Sequence, residues 1–234
     1  SAFESIEKFH EDAMYSREYT LVTTHYKYLD KEKQDKIFNY ITNQIKDDEV
    51  KLRHACLIGY DWSEYQKLSN AALSIIDPEV VYTPSYVGIK YPNGDVPAKI
   101  GVCTDVVIRS YRKLGIDLQK EVHEDMIANF ALYPKTWGLK STDKNIDHRR
   151  VPNLEVFLVR KGEKLPVTQN ASDYKTGDLV TWMIGGKMPH IGIVTHKKST
   201  DGKRNLIVHN VGGGQVLENC LFSWEIVGHF RYEK

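Results

Sequence analysis

The chain predicts an α+β fold. Helical periodicity recurs through the first part of the sequence, whereas short β-rich runs broken by Gly, Lys, Asn and Asp turns fill the remainder. Helices that precede strands, without βαβ alternation, argue for an antiparallel sheet of about five to six strands with N-terminal helices packed on it. The 234 residues are 41% hydrophobic and 27% charged, enough to bury a core of ordinary size. Residues 1–60 read as a helical or mixed extension and 61–234 as the main domain.

In the extension, residues 5–14 are charged and sparsely apolar, and 18–28 are rich in Tyr, Thr and Val. Residues 31–46 carry Ile37, Phe38, Ile41 and Ile45 on one face, an amphipathic helix. A further helix is expected over 50–58, with Cys56 on its apolar side. The next, over 64–76, meets its stop at Asp77-Pro78. Residues 80–100 lack a helical period and hold Pro84, Gly88, Pro92, Gly94 and Pro97, a loop long enough to suggest function. After it, Val102, Val106, Val107, Tyr111 and Leu114 recur at helical spacing up to Gly115, a stop signal. A helix is expected over 120–131 and a polar irregular stretch over 136–153. Strands are expected over 155–159, 178–183, 191–196, 206–211 and 226–232.

Charge and composition exclude several classes of function. Lys and Arg number 32 against 31 Asp and Glu, a net charge of +1 that offers no global field for nucleic acid. No apolar run reaches the roughly 18 residues of a membrane-spanning helix. The sequence has no CxxC, HxH or HExxH and no phosphate loop or dinucleotide fingerprint, so neither metal nor cofactor is expected. Cys56, Cys103 and Cys220 are too few for a disulfide framework, although one Cys56–Cys220 bridge is compatible with the count. The first residue is Ser1, which suits a chain whose secretion signal has been removed.

The chemistry concentrates on Gly101-Val102-Cys103-Thr104-Asp105. Cys103 falls in the first turn of a helix, where unpaired N–H groups and the helix dipole favour a thiolate. A nucleophilic cysteine needs a base, and the base needs a group to orient it. His190, at a strand entry in Met188-Pro189-His190-Ile191-Gly192, is the leading base, and Gly192 on the same face leaves room for a substrate. His209 and Asn210 on the following strand point to opposite faces, so only one of them can meet His190. Asp105 either bonds the exposed amides of its helix turn or pairs with Arg149 or Arg150.

These motifs resemble a known superfamily. Gly177-Asp178-Leu179-Val180, His190-Ile191-Gly192-Ile193-Val194 and Ile207-Val208-His209 are similar to the pattern of the NlpC/p60 papain-like cysteine hydrolases. Tyr91-Pro92-Asn93-Gly94-Asp95-Val96-Pro97, Gly101 to Val107, Asn145 to Leu154 and Gly228-His229-Phe230-Arg231-Tyr232 more closely resemble the bacterial domain of unknown function 1287 family. The likeness runs from residue 64 to 232. One departure is Val102-Cys103-Thr104-Asp105, where the better-understood relatives read Asp-Cys-Ser-Gly.

The resemblance implies a papain-like fold and acyl transfer to water. Cys103 would attack an amide carbonyl, His190 would carry the proton, and His209, with Asn210 as the alternative, would orient His190. Tyr91 would match an upstream tyrosine that assists the Cys103 amide in holding the oxyanion, with Asp105 beside it. His148, Arg149 and Arg150 would either clamp a substrate carboxylate or form a structural ion-pair network. The implied substrate is a peptide or peptidoglycan fragment, met by a monomer in the periplasm or outside the cell. The alternative is a papain-like module that binds a cell-envelope ligand or partner protein without turnover.

Overall fold

The computed structural model describes residues 32–34 and 62–233. The chain divides into two compact units, Ser1–Tyr65 and Gln66–Lys234. Residues 32–34 are helical, inside the helix expected over 31–46. The other expectations for the extension, the 50–58 helix and Cys56 included, lie outside the described residues. No described helix is long and apolar enough to cross a membrane.

The main unit is α+β. Helix α1 (Trp62–Ser74) is followed by a two-residue parallel pair, β1 (Val81–Tyr82) with β2 (Ile100–Gly101). Then come α2 (Cys103–Lys113), α3 (Leu118–Ala128) and α4 (Val151–Lys161). The strands β3 (Glu163–Lys164), β4 (Leu179–Ile184), β5 (Met188–Lys198), β6 (Asn205–His209), β7 (Val216–Glu218) and β8 (Glu225–Arg231) close the chain. They form one six-stranded antiparallel sheet in the order β3-β8-β4-β5-β6-β7.

One expected strand is instead a helix. Residues 155–159 lie in α4, because Val151, Leu154, Phe157 and Leu158 bury at helical spacing while Val159 is half exposed. The β-branched content of the short window had suggested a strand, and Pro152 in the first turn of the helix outweighs it. The stretch over 136–153 contains a buried 3₁₀ turn, Asp147–Arg149, immediately before α4.

Alternation along the strands divides two cores. Leu179, Ile191, Ile193, Val208 and Phe230 pack with Cys103, Val106 and Val107 of α2 and with Leu118, Val122, Leu154 and Phe157 of α3 and α4. On the other face Val180, Trp182, Val194 and Ile207 pack with Tyr174, Cys220 and Leu221. Helix α2 stops as Gly115 (φ 80°) adopts the left-handed conformation; the Gly115 N–H donates to Arg112 O and the Ile116 N–H to Tyr111 O, closing a Schellman motif.

The long loop before Cys103 is held by side chains of the helices. Arg109 of α2 donates to Asp95, Gln215 and the Ile100 carbonyl, and Gln119 of α3 accepts from the Gly94 N–H. These bonds fix the approach of the chain to Cys103. The triglycine is pinned as well: Gly214 sits against the Pro78 backbone, where a Cβ would come within 2.5 Å, and Gln215 bridges Asp77.

Candidate active site

Cys103 is the first residue of α2 and is 4% exposed. Its sulfur lies against the Ile191 amide, which, with the amides of Thr104 and of Cys103 itself, favours the thiolate. Burial outweighs them and, helped by the nearby Asp105, pushes the thiol up to about 11. The resting group is therefore a thiol, contrary to the thiolate expected from the helix start alone. The dipole effect of about 1 kcal/mol is smaller than the cost of desolvating an anion.

Strand β5 brings the backbone amide of Ile191, the residue after His190, to the sulfur. Backbone groups of an antiparallel strand alternate in direction, and the Val194 N–H donates to Asp178 on the β4 side. The Ile191 N–H therefore points toward β6. Pairing with β6 begins at Ile193↔Val208, so Cys103 meets Ile191 before the two strands pair.

His190 is 1% exposed and bonds His209 rather than Cys103: its Nε2 lies 2.9 Å from His209 Nδ1. Among the described residues its Nδ1 makes no hydrogen bond. The rings of Trp182 and Trp224 flank it, each with its centroid 5.6 Å away. Burial and the neighbouring His209 hold His190 down at about 3, so it is neutral near pH 7. His209 continues the chain, its Nε2 standing 2.9 Å from Glu218 Oε2 and 3.5 Å from Cys220 Sγ. Burial lowers its pKa as well, opposed by Glu218. Asn210 instead accepts from the Gly212 N–H. Among the described residues Cys103 and Cys220 are free thiols.

Gly192 does not leave room for a substrate. A Cβ there would stand 2.6 Å from Ile207 Cγ2 and 3.2 Å from His209 Cβ. The absent side chain is what lets His209 lie beside His190.

Asp105 is neutralised by Arg149, Nε to Oδ1 and Nη2 to Oδ2 both at 2.9 Å, with both side chains 2% exposed. It also accepts from the Val102 N–H at 2.7 Å, and Thr104 Oγ1 donates to the Arg149 carbonyl. The 3₁₀ turn is thus bound to the start of α2. Arg149 is committed to this pair and His148 is 1% exposed, so neither is open to a substrate carboxylate. Burial and the nearby Arg149 hold His148 down at about 3. Arg150 stacks on the half-exposed Trp137 at 4.2 Å.

Tyr91 does not supply the tyrosine beside the sulfur. Its ring packs edge-on to His123 at 5.2 Å. Tyr82 takes that place: β1 pairs it with Gly101, two residues before Cys103, and its phenol is near enough to feel the Cys103 side chain. Burial, Cys103 and Asp105 together push the Tyr82 phenol up to about 12. Choosing among Tyr82, Tyr86 and Tyr91 requires the β1–β2 pairing, which two-residue strands do not announce. Glu218 carries no motif. Its signal is the hairpin register, in which His209 faces Val216 and Glu218 lies diagonally across on the same face.

Fold and site together define an α+β domain with a buried cysteine at a helix start, seated on the strand that also carries the first member of a His–His–Glu hydrogen-bond chain. The family model described as "Domain of unknown function (DUF1287)" matches residues 69–232, and the chain belongs to that family. A relative from Escherichia coli (strain K12), "Uncharacterized protein YijF", is 48% identical over 165 residues, which cover 70% of this chain and 80% of the relative. A second family model, described as "HamA", matches residues 1–82.

Proposed function

We propose that the main unit is a cysteine hydrolase of the NlpC/p60 papain-like type that cleaves amide bonds in bacterial cell-wall peptides, in the periplasm or outside the cell. The observation that carries this reading is the seating of Cys103 against the Ile191 amide, one residue from His190, whose far nitrogen is already bonded to His209. Sγ attacks the amide carbonyl as its proton passes to His190 Nδ1. The C–N bond breaks as His190 returns that proton to the leaving amine, and water then hydrolyses the thioester. The oxyanion is held by the Cys103 N–H and the Tyr82 hydroxyl, each donor contributing about 3 kcal/mol. Because the resting thiol is protonated, deprotonation accompanies attack instead of preceding it. The closed Asp105–Arg149 pair leaves Arg150, on its Trp137 platform, as the one of the two arginines that could meet a substrate carboxylate.

The 4% exposure of Cys103 and its raised pKa favour one second reading, a binding module without turnover. Purified peptidoglycan incubated with wild type and with Cys103→Ala, followed by mass spectrometry, separates the two. Hydrolysis yields new muropeptides with wild type alone. Intact muropeptides with both proteins would remove the cell-wall reading.

A further inference from the structure

We propose that Glu218 is a positioning residue: acting through His209, it sets which nitrogen of His190 is free to accept the Cys103 proton, and it draws the resulting positive charge onto His209. This inference rests on the cysteine-hydrolase reading above. A carboxylate only accepts, so the 2.9 Å contact requires a proton on His209 Nε2. The Nδ1 of neutral His209 then carries a lone pair, and the 2.9 Å bond to His190 requires a proton on His190 Nε2. His190 Nδ1 is left as the basic nitrogen. One surface carboxylate thereby orders two imidazoles in series.

The same chain gives the charge a destination. His190 is 1% exposed between Trp182 and Trp224, and its one hydrogen-bond partner among the described residues is another imidazole. An imidazolium there would be poorly solvated. Among the described residues, the titratable groups that meet His209 are His190 from β5, Glu218 from β7 and Cys220 from the segment after β7. Cys220 is held as a neutral thiol by burial, which leaves Glu218, whose side chain is 52% exposed, as the compensating charge. On attack the S–H bond breaks, its electron pair stays on sulfur, and an N–H bond forms at His190 Nδ1. The Nε2 proton of His190 moves to His209 Nδ1. His209 then holds protons on both nitrogens, its Nε2–H directed at the carboxylate. Breakdown of the tetrahedral intermediate reverses both transfers and delivers the proton to the leaving amine.

The test uses the full chain with ¹⁵N-labelled histidine. Long-range ¹H–¹⁵N spectra near neutral pH are expected to show His190 and His209 both protonated at Nε2. In Glu218→Ala, His209 gains a population protonated at Nδ1. An Nδ1–H form of either ring in the wild type, or an identical tautomer pattern in Glu218→Ala, overturns the proposal. In parallel, iodoacetamide labelling of each cysteine is followed against pH by mass spectrometry. Glu218→Gln and Glu218→Ala are expected to slow labelling of Cys103 roughly tenfold near neutral pH, whereas Cys220, whose pKa Glu218 raises, labels no more slowly than in the wild type. Unchanged Cys103 profiles in both variants also overturn it. If wild-type Cys103 labels no faster than Cys220, the hydrolase reading fails instead, and the tautomer spectra still decide the role of Glu218.

Discussion

A carboxylate two residues past a cysteine opposes thiolate formation, and the molecule balances Asp105 with a bidentate, buried arginine. Removing one partner leaves the other charged and desolvated. Asp105→Ala is therefore expected to cost about 3–5 kcal/mol in urea unfolding. Replacing Asp105 and Arg149 together by apolar residues should cost less. Asp105→Asn should also move Cys103 alkylation to lower pH, because Asp105 raises the thiol pKa. Gly192 acts by absence. In Gly192→Ala the new methyl meets Ile207 and His209, so a loss of about 1–3 kcal/mol is expected, together with a broken His190–His209 bond visible in the imidazole NMR spectrum. The pairing of Asp105 with one of two arginines was legible in the chain. The choice of Arg149 was not, because it depends on a 3₁₀ turn bonded to the start of α2 through Thr104.

At the scale of elements, α3 and α4 are joined by Asp125, which accepts from Arg160 at 2.7 Å and from Tyr133 and pairs with Lys161. The Arg160 bond, with those of Tyr133 and Lys161, holds the Asp125 carboxyl down at about 2. A carboxyl whose pKa is lower folded than unfolded stabilises the fold above its unfolded value of about 3.9, and that stability is lost as pH falls toward 2. Chemical denaturation of wild type and Asp125→Asn should differ by about 2 kcal/mol above pH 5 and converge below pH 2. Legibility differed from element to element. The period of α2 and its glycine stop were plain, whereas residues 155–159 satisfied strand composition inside a helix. A window of five residues cannot resolve a period of 3.6, and Val151 to Leu158 can.

For the whole molecule, buried neutral histidines set the acid limit. His148 and His190 are both held at about 3, and their unfolded pKa is about 6.5. Between those values the unfolded chain binds more protons than the folded one, so stability falls as pH drops from 6.5 toward 3. At pH 5 these two residues alone should take up about two protons on unfolding, measurable by calorimetry in buffers of differing ionisation enthalpy. His190→Asn should remove close to one of them. Uptake that does not change in that variant would place the charge-sensitive histidine elsewhere.

The amino-acid sequence by itself determined the α+β class, the helix that begins at Cys103, and the order of cysteine, first histidine and second histidine along the chain. Those features are local: periodicity, stop residues and strand alternation act over a few neighbours. Tertiary structure alone decided that Tyr82 rather than Tyr91 stands near Cys103, that Arg149 closes on Asp105, and that His209 continues to Glu218. Each of these joins side chains from separate elements, and hydrogen-bond partners across a fold follow from strand register and burial, which no spacing in the chain encodes. The protonated state of Cys103 belongs there as well. The dipole of its helix is a local property, but the desolvation that overrides it comes from the sheet packed against it.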